Sequence, residues 1–344
     1  MPARANCQWR GTALWPAWLA LWLAFPAFAA SPLTEGYPTL PLSLAVPFAA
    51  NDQGNVFLDL FLPTLEKASP KPVSLRRLPG RGGGYALREI LGKPADGHSL
   101  ALLTLPSFFL QAIPPNRLYA RGDFTPLIIL AHAPAALWTT EESPLASVRD
   151  LIRLARSRET SSDRRVPDSE ILPADAPLVA AGSGSYSEGQ VAALLLARAA
   201  GIRIRYLPFL STAKAAEAVR NGAADICFGY ALKTPPLPGM RPLAVSAQSR
   251  VPALPATPTF RETGLEVVAG LDIGLAMPAG ADPNDVAHIA EFFLRVLDAP
   301  DLHAALTRNG FSPLRLSPVD LAAFLNRREE EINAFLQDYP LFPR

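Results

Sequence analysis

The chain has 344 residues, 49% of them apolar, with 36 prolines, two cysteines and a formal charge of +1. Such a near-neutral balance casts no long-range field toward nucleic acid or acidic membranes, so those partners are excluded as a class. The apolar content is enough for a sizeable core, and the length favours two domains over one.

Arg4 and Arg10 precede an acid-free apolar run over 12–28, and Ala27-Phe28-Ala29 is a small-x-small site. This predicts a signal peptide over 1–29, cleaved after Ala29. The alternative is a retained membrane anchor, but Pro16 and Pro26 interrupt the run and no basic stop-transfer cluster follows. Cys7 lies before the run, so there is no lipobox. Removing Arg4 and Arg10 takes the formal charge from +1 to −1 and leaves Cys227 as the sole cysteine. No internal disulfide is then possible. Cys227 sits in the apolar run 224–229 and reads as a buried thiol. A secreted chain without disulfides points to a bacterial periplasm.

Strand-like and helix-like runs alternate along the mature chain, the pattern of an α/β protein. A strand over 42–47 leads to a helix over 56–65 and a strand over 73–78. The glycine-rich Gly80-Arg81-Gly82-Gly83-Gly84 precedes a helix over 85–91, then a strand over 99–105. Two further strands are expected, over 127–131 and 135–139. Ser147 and Asp150 open a helix whose end carries Arg153, Arg156 and Arg158 as a solvated face. The polar stretch 159–176 reads as a surface excursion, with two alternatives, a cover for a cleft or plain surface. A strand over 177–181 follows, then strands over 202–207 and 225–229 flanking a helix over 213–220. Strands over 243–246 and 267–277 come next. Two helices end the chain, announced by Asp282-Pro283 and Ser317-Pro318, a capping residue followed by proline at the first helical position.

The most informative stretch is Gly182-Ser183-Gly184-Ser185-Tyr186-Ser187-Glu188-Gly189-Gln190. Ser187 and Gln190 have capping-box spacing, and Gly201 marks the helix end. A small hydroxyl-rich loop thus empties onto the positive end of a helix, which suits a carboxylate or phosphate. The alternative is an ordinary strand-to-helix turn.

Catalytic constellations are thin. His98, His132, His288 and His303 have no zinc-ligand spacing, and no metal or cofactor is expected. No Gly-x-Ser-x-Gly elbow occurs in the serine loop. Ser211-Thr212-Ala213-Lys214 matches a Ser-x-x-Lys pattern but opens an alanine-rich amphipathic helix without companion motifs. Tyr85 stands where a dinucleotide fingerprint needs its last glycine. An enzyme is not expected.

The ordered motifs resemble the extracytoplasmic solute receptors of the tripartite tricarboxylate transporters, the Bug or TctC-like family. They are Val46-Pro47-Phe48, Leu78-Pro79-Gly80-Arg81-Gly82-Gly83, Pro94-Ala95-Asp96-Gly97-His98, Asp123-Phe124-Thr125-Pro126, the 182–187 loop, Leu254-Pro255-Ala256-Thr257-Pro258, Glu262-Thr263-Gly264 and Met277-Pro278-Ala279-Gly280. The resemblance spans the mature chain in order. It implies a two-lobed periplasmic binding protein of type II-like architecture with crossing hinge strands near 127–133 and 244–248. Lobe 1 is expected to comprise 36–130 and 247–344, and lobe 2 to comprise 131–246. It also implies a monomer that captures a small carboxylate or amino acid in the interlobe cleft for integral-membrane transporter subunits. The alternative is a receptor-like protein that signals its ligand to a membrane sensor.

By the same resemblance the ligand is gripped by two facing loops. Phe48, Ala50, Asn51, Asp52, Gly54 and Asn55 form the first, and Ser183, Gly184, Ser185, Tyr186 and Ser187 the second. The exit of the third strand, Thr104-Leu105-Pro106-Ser107, and the segment 225–230 starting at Asp225 line the rest; the alternative for Asp225 is a strand-edge hydrogen-bonding role. Two departures stand out. The family's Pro-Gly-Gly-x-x-Asp pattern is here Ala50-Asn51-Asp52-Gln53-Gly54-Asn55, and the histidine that often follows the second loop is absent. Asp52 beside a ligand carboxylate repels it by roughly 4 kcal/mol at ~4 Å and an effective dielectric of about 20. Either Asp52 points away, or it receives a ligand ammonium or hydroxyl.

Overall fold

The computed structural model describes residues 36–50, 52–114, 117–159, 178–233 and 237–338. The leader expected over 1–29, Asn51 and nearly all of the excursion 159–176 lie outside them. Among the described residues no helix is long and apolar enough to cross a membrane.

The elements, in chain order, are β1 (Leu42–Val46), α1 (Asn55–Ala68), β2 (Val73–Arg77), α2 (Gly84–Glu89), β3 (Ser99–Leu105), α3 (Ser107–Leu110) and β4 (Phe124–Thr140). Then come α4 (Val148–Glu159), β5 (Leu178–Ser183), α5 (Glu188–Ala200), β6 (Ile204–Phe209), α6 (Thr212–Arg220), β7 (Ile226–Tyr230) and β8 (Met240–Val245). The chain continues through β9 (Gly270–Pro278), α7 (Pro283–Leu297), α8 (Pro300–Asn309), β10 (Ser312–Pro313) and α9 (Pro318–Asp338).

The strands form one curled sheet in the order β2-β1-β3-β9-β4-β7-β5-β6, with β8 and β10 also pairing on β4. Pairing is parallel for β2/β1/β3 and for β6/β5/β7, and antiparallel wherever β4 or β9 takes part. Two α/β halves are thus spliced through β4 and β9.

Side-chain alternation explains how each half acquires two cores. In β3, Leu100 and Leu102 enter the cluster with Leu44, Phe57, Ile273 and Phe293, under α1, α7 and α8. Ala101, Leu103 and Leu105 point the other way, to Phe108, Tyr119, Phe124 and Phe324 under α3 and α9. In β5, Leu178 and Ala180 face Leu151, Leu196 and Ile226, while Val179 and Ala181 face Ala215, Val219 and Cys227. Strands covered by helices on both faces read as continuous apolar runs.

Two expectations are corrected. The two strands over 127–131 and 135–139 are one 17-residue strand, β4. Pro134 lies between the two expected strands and lacks a backbone donor, which ordinarily disfavours a continuous strand. It stands where β4 changes partners: residues 124–134 pair with β9, and from Ala135 onward with β7 and β8. Only its carbonyl is used, accepting from Ala231 N at 2.8 Å. The second correction is α8, a third helix where two were expected. Its buried apolar side chains are Leu302 and Leu306, too few for a visible period.

The predicted caps are present. Ser187 Oγ accepts from Gln190 N at 3.4 Å, and Gly201 closes α5 with φ +60°. Asp282 accepts from Asn284 N at 2.8 Å ahead of Pro283, and Ser317 Oγ accepts from Asp320 N at 3.2 Å. Ser246 and Ala269 flank Ala135, joined by Ser246 N to Ala135 O at 2.8 Å and Ala135 N to Ala269 O at 3.0 Å.

Candidate functional site

Three loops meet where the two halves face each other. The first leaves β1 and enters α1. Asp52 folds back as an Asx turn, its Oδ1 accepting from Gly54 N at 2.8 Å. Asn55 Nδ2 donates to Ala50 O at 3.0 Å, to Asp52 O at 3.2 Å and to Ala49 O, while its Oδ1 accepts from Arg77. Asn55 therefore holds the loop in shape. Gly54 is required by close approach: a Cβ there would meet the Phe48 ring at 2.3 Å.

The second loop leaves β5 and enters α5. Gly184 takes φ +81° and Tyr186 φ +62°. Tyr186 N donates to Gln190 Oε1 at 2.7 Å, so the reciprocal half of the expected capping box lands one residue early. Ser187 Oγ lies 3.1 Å from Tyr206 Oη and donates to Gly184 O at 3.0 Å. Ser185 offers its carbonyl to Gln111 Nε2 at 3.4 Å.

The third loop is the glycine-rich turn over 80–84, which the residue pattern excluded as a dinucleotide fingerprint and left without a role. It lies against the second loop backbone to backbone. A Cβ on Gly184 would meet Gly82 N at 3.1 Å, and one on Gly82 would meet Ser107 Oγ at 2.7 Å. Glycine at these positions is the sequence signal that could have placed this turn at the site.

Together the loops enclose a cavity of about 40 Å³, room for about three water molecules. Of the expected residues, Phe48, Asp52, Ser183, Gly184 and Ser187 line it. Ala50, Gly54, Asn55, Ser107, Ser185 and Tyr186 buttress the loops behind it. Four hydrogen bonds tie the halves together around it. Thr212 N donates to Asp52 Oδ2 at 3.1 Å and Tyr230 N to Gln53 Oε1 at 3.0 Å. Ser107 Oγ donates to Tyr186 O at 2.9 Å, and the Gln111–Ser185 bond is the fourth.

Asp225 is not at the cavity. Tyr230, at the other end of β7, lines it, and Asp225 lies roughly 17 Å back along the strand. Its carboxylate accepts from Val179 N at 2.9 Å and pairs with Arg158 at 2.8 Å, which is a structural role. Phe108 and Phe109 belong to the core.

Glu188 is the residue that sequence reasoning missed. It lines the cavity with only 5% exposure. Burial pushes its carboxyl up to about 7, and the nearby Asp52 charge adds to the rise. The Tyr230 hydroxyl and the amides of Glu188 itself and Gly189 donate to it and oppose the rise. Asp52 is also raised by burial, against the stabilising amides of Gly54 and Thr212. Tyr230 is pushed well up, first by its own burial and then by the two carboxylates. The helix end that was expected to offer open amides to an anion carries the chain's own acid, Glu188, in its first turn. At α6, Asp52 accepts from Thr212 N, the first residue of that helix. Among the described residues no group of three His, Cys, Asp or Glu is placed to hold a metal ion.

The profile of the family described as "Tripartite tricarboxylate transporter family receptor" matches residues 63–341. Protein BugT of Bordetella pertussis is 24% identical over 317 residues, covering 89% of this chain and 91% of BugT. MatC from Rhodopseudomonas palustris, solved with bound malate, superposes with a TM-score of 0.72 at 25% identity, over 86% of this chain and 98% of that one. The periplasmic binding protein BugD superposes with a TM-score of 0.75 at 19% identity, over 90% of this chain and all of its own.

Proposed function

The chain belongs to the tripartite tricarboxylate transporter receptor family, and we propose that it captures a small carboxylate-bearing solute between the halves of its sheet. The closed form would then be handed, as a monomer, to integral-membrane transporter subunits. The observation that carries this reading is the cavity, whose lining comes from both halves and whose rim is closed by direct hydrogen bonds between them. A ligand contacting both halves stabilises the closed arrangement by its differential affinity, with no covalent chemistry. The malate held by MatC supports a carboxylate as the solute class.

We place one lobe at β1–β3, the first part of β4, β9 and α7–α9, and the other from Ala135 to Ser246. The changeover at Pro134 and the hydrogen bonds joining Ala135, Ser246 and Ala269 support these limits. They shift the expected boundary at 130/131 by a few residues. The leader reading and the family agree on the periplasm.

The test is a thermal-shift screen of ligand-stripped mature protein against small carboxylates and amino acids. A ligand at a hundred times its Kd adds about 2.7 kcal/mol to stability. Ser183→Leu, which fills the cavity, should abolish the shift. A shift that survives in this variant would put the ligand elsewhere.

A further inference from the structure

The cavity has an unusual charge balance for a carboxylate receptor. Among the described residues lining it there is no Lys, Arg or His, and there are two acids, Asp52 and Glu188. Arg81 lies between lining residues Gly80 and Gly82, but its guanidinium is laid over the Tyr186 ring, 5.4 Å from the centroid. The two acids come from opposite halves and line the cavity together with Tyr230.

The positions where an entering carboxylate would gain most are already taken. Glu188 stands in the first turn of α5, and Asp52 accepts from Thr212 N at the start of α6. A ligand di- or tricarboxylate would therefore bring negative charge into a space lined by two acids and no cation. A carboxylate has about four acceptor positions. Asp52 uses two, on Gly54 N and Thr212 N, so it can still receive a donor. What remains for a ligand carboxylate is the Ser183 hydroxyl and the turn at Gly82, since Gly184 N donates to Phe209 O at 2.7 Å.

We infer that Asp52 and Glu188 are the counter-charge for a ligand ammonium, so that the solute carries one carboxylate and one amine and a second carboxylate is refused. The inference rests on the receptor reading and names the solute class of that same cavity. Selectivity of this kind is a difference between two affinities, set here as much by repulsion of the wrong ligand as by attraction of the right one.

Isothermal titration of the ligand-stripped mature protein at pH 7.5 tests it with three matched pairs, in which an ammonium replaces one carboxylate. The pairs are glycine and malonate, β-alanine and succinate, and 4-aminobutyrate and glutarate. At least one amino compound should bind roughly tenfold or more tightly than its partner. Glu188→Gln, nearly isosteric, should erase that preference by weakening the amine and improving the dicarboxylate. Asp52→Asn should shift it in the same direction and serves if the first variant folds poorly. Dicarboxylates binding as tightly as the amino compounds, with Ser183→Leu abolishing the binding, would overturn the inference and leave the receptor reading standing. A preference for amines unchanged in both acid variants would overturn it too. No binding from either series would overturn the inference and the receptor reading together.

Discussion

Glu188 gives the sharpest prediction, because its environment converts directly into a pH-dependent stability. Its carboxyl sits at about 7 in the folded protein against an ordinary value of 4.5, with burial as the main cause. At 1.36 kcal/mol per unit, a rise of about 2.5 units corresponds to about 3 kcal/mol. The sign follows from linkage. The folded state holds this proton more tightly than the unfolded state, so the contribution is fully present below pH 4.5. It falls away as pH rises through 7. Glu188→Gln carries no titrating proton but keeps a carbonyl oxygen for the Tyr230 hydroxyl. Any cost of placing its amide near the α5 amides is the same at every pH. The difference in Tm between Glu188→Gln and wild type should therefore move in favour of the variant by about 3 kcal/mol between pH 4.5 and 8, or about 6 °C at ~2 °C per kcal/mol for a chain of this size. Scanning calorimetry of both ligand-free proteins at half-unit pH steps measures it, and titrating groups away from the cavity cancel in the difference. A Tm difference that stays flat from pH 5 to 8 would refute the buried, strained carboxylate.

Two further outcomes follow from packing and burial. Gly54→Ala puts a Cβ 2.3 Å from the Phe48 ring. The overpacking should lower stability by about 1–3 kcal/mol in a circular-dichroism melt, and an unchanged Tm would mean the ring has room to swing away. Cys227 is fully buried, with its thiol pushed up to about 12 by that burial. Native mature protein should give no reaction with a thiol reagent at pH 8 and one thiol per chain once unfolded. Labelling of the native form would show that the half carrying β7 opens locally.

Most of the fold was legible because its strands are apolar runs and its helices begin with capping residues. Ser99–Leu105 reads as a buried strand since both its faces are covered, and Ser187 with Gly201 bounds α5 from composition alone. The misses share a cause. The unbroken β4 and the helix α8 are hidden from local rules, and Asp225 was expected at the cleft from the resemblance; each is decided by a partner distant in sequence. Pro134 is tolerated because β4 changes neighbours there, α8 is held by packing at two leucines, and Asp225 is drawn to Val179 and Arg158. Glu188 escaped notice because an acid in the first turn of a helix is ordinarily a solvated residue. Only the closure of the halves over it makes it a cavity residue. The first loop was read with less trouble, since Asp52 was already out of place for a carboxylate site.

The continuity of β4 has a mechanical consequence. A loop between two bodies acts as a pin joint, free to turn until something stops it. The 17-residue β4 has no loop between its two parts, though its register slips against β9 at 126/128 and 129/131 and against β8 at 137/138. Any rotation of one half against the other must be spread as torsion over successive φ and ψ angles, since each peptide unit resists twisting. The strand then behaves as a torsion bar with a rest angle, restoring the molecule from either side. In the proposed closure, a ligand that holds the halves together would do elastic work as it binds, and part of its affinity would be spent in the bar. Softening the bar at Pro134 should alter affinity from a place the ligand never touches.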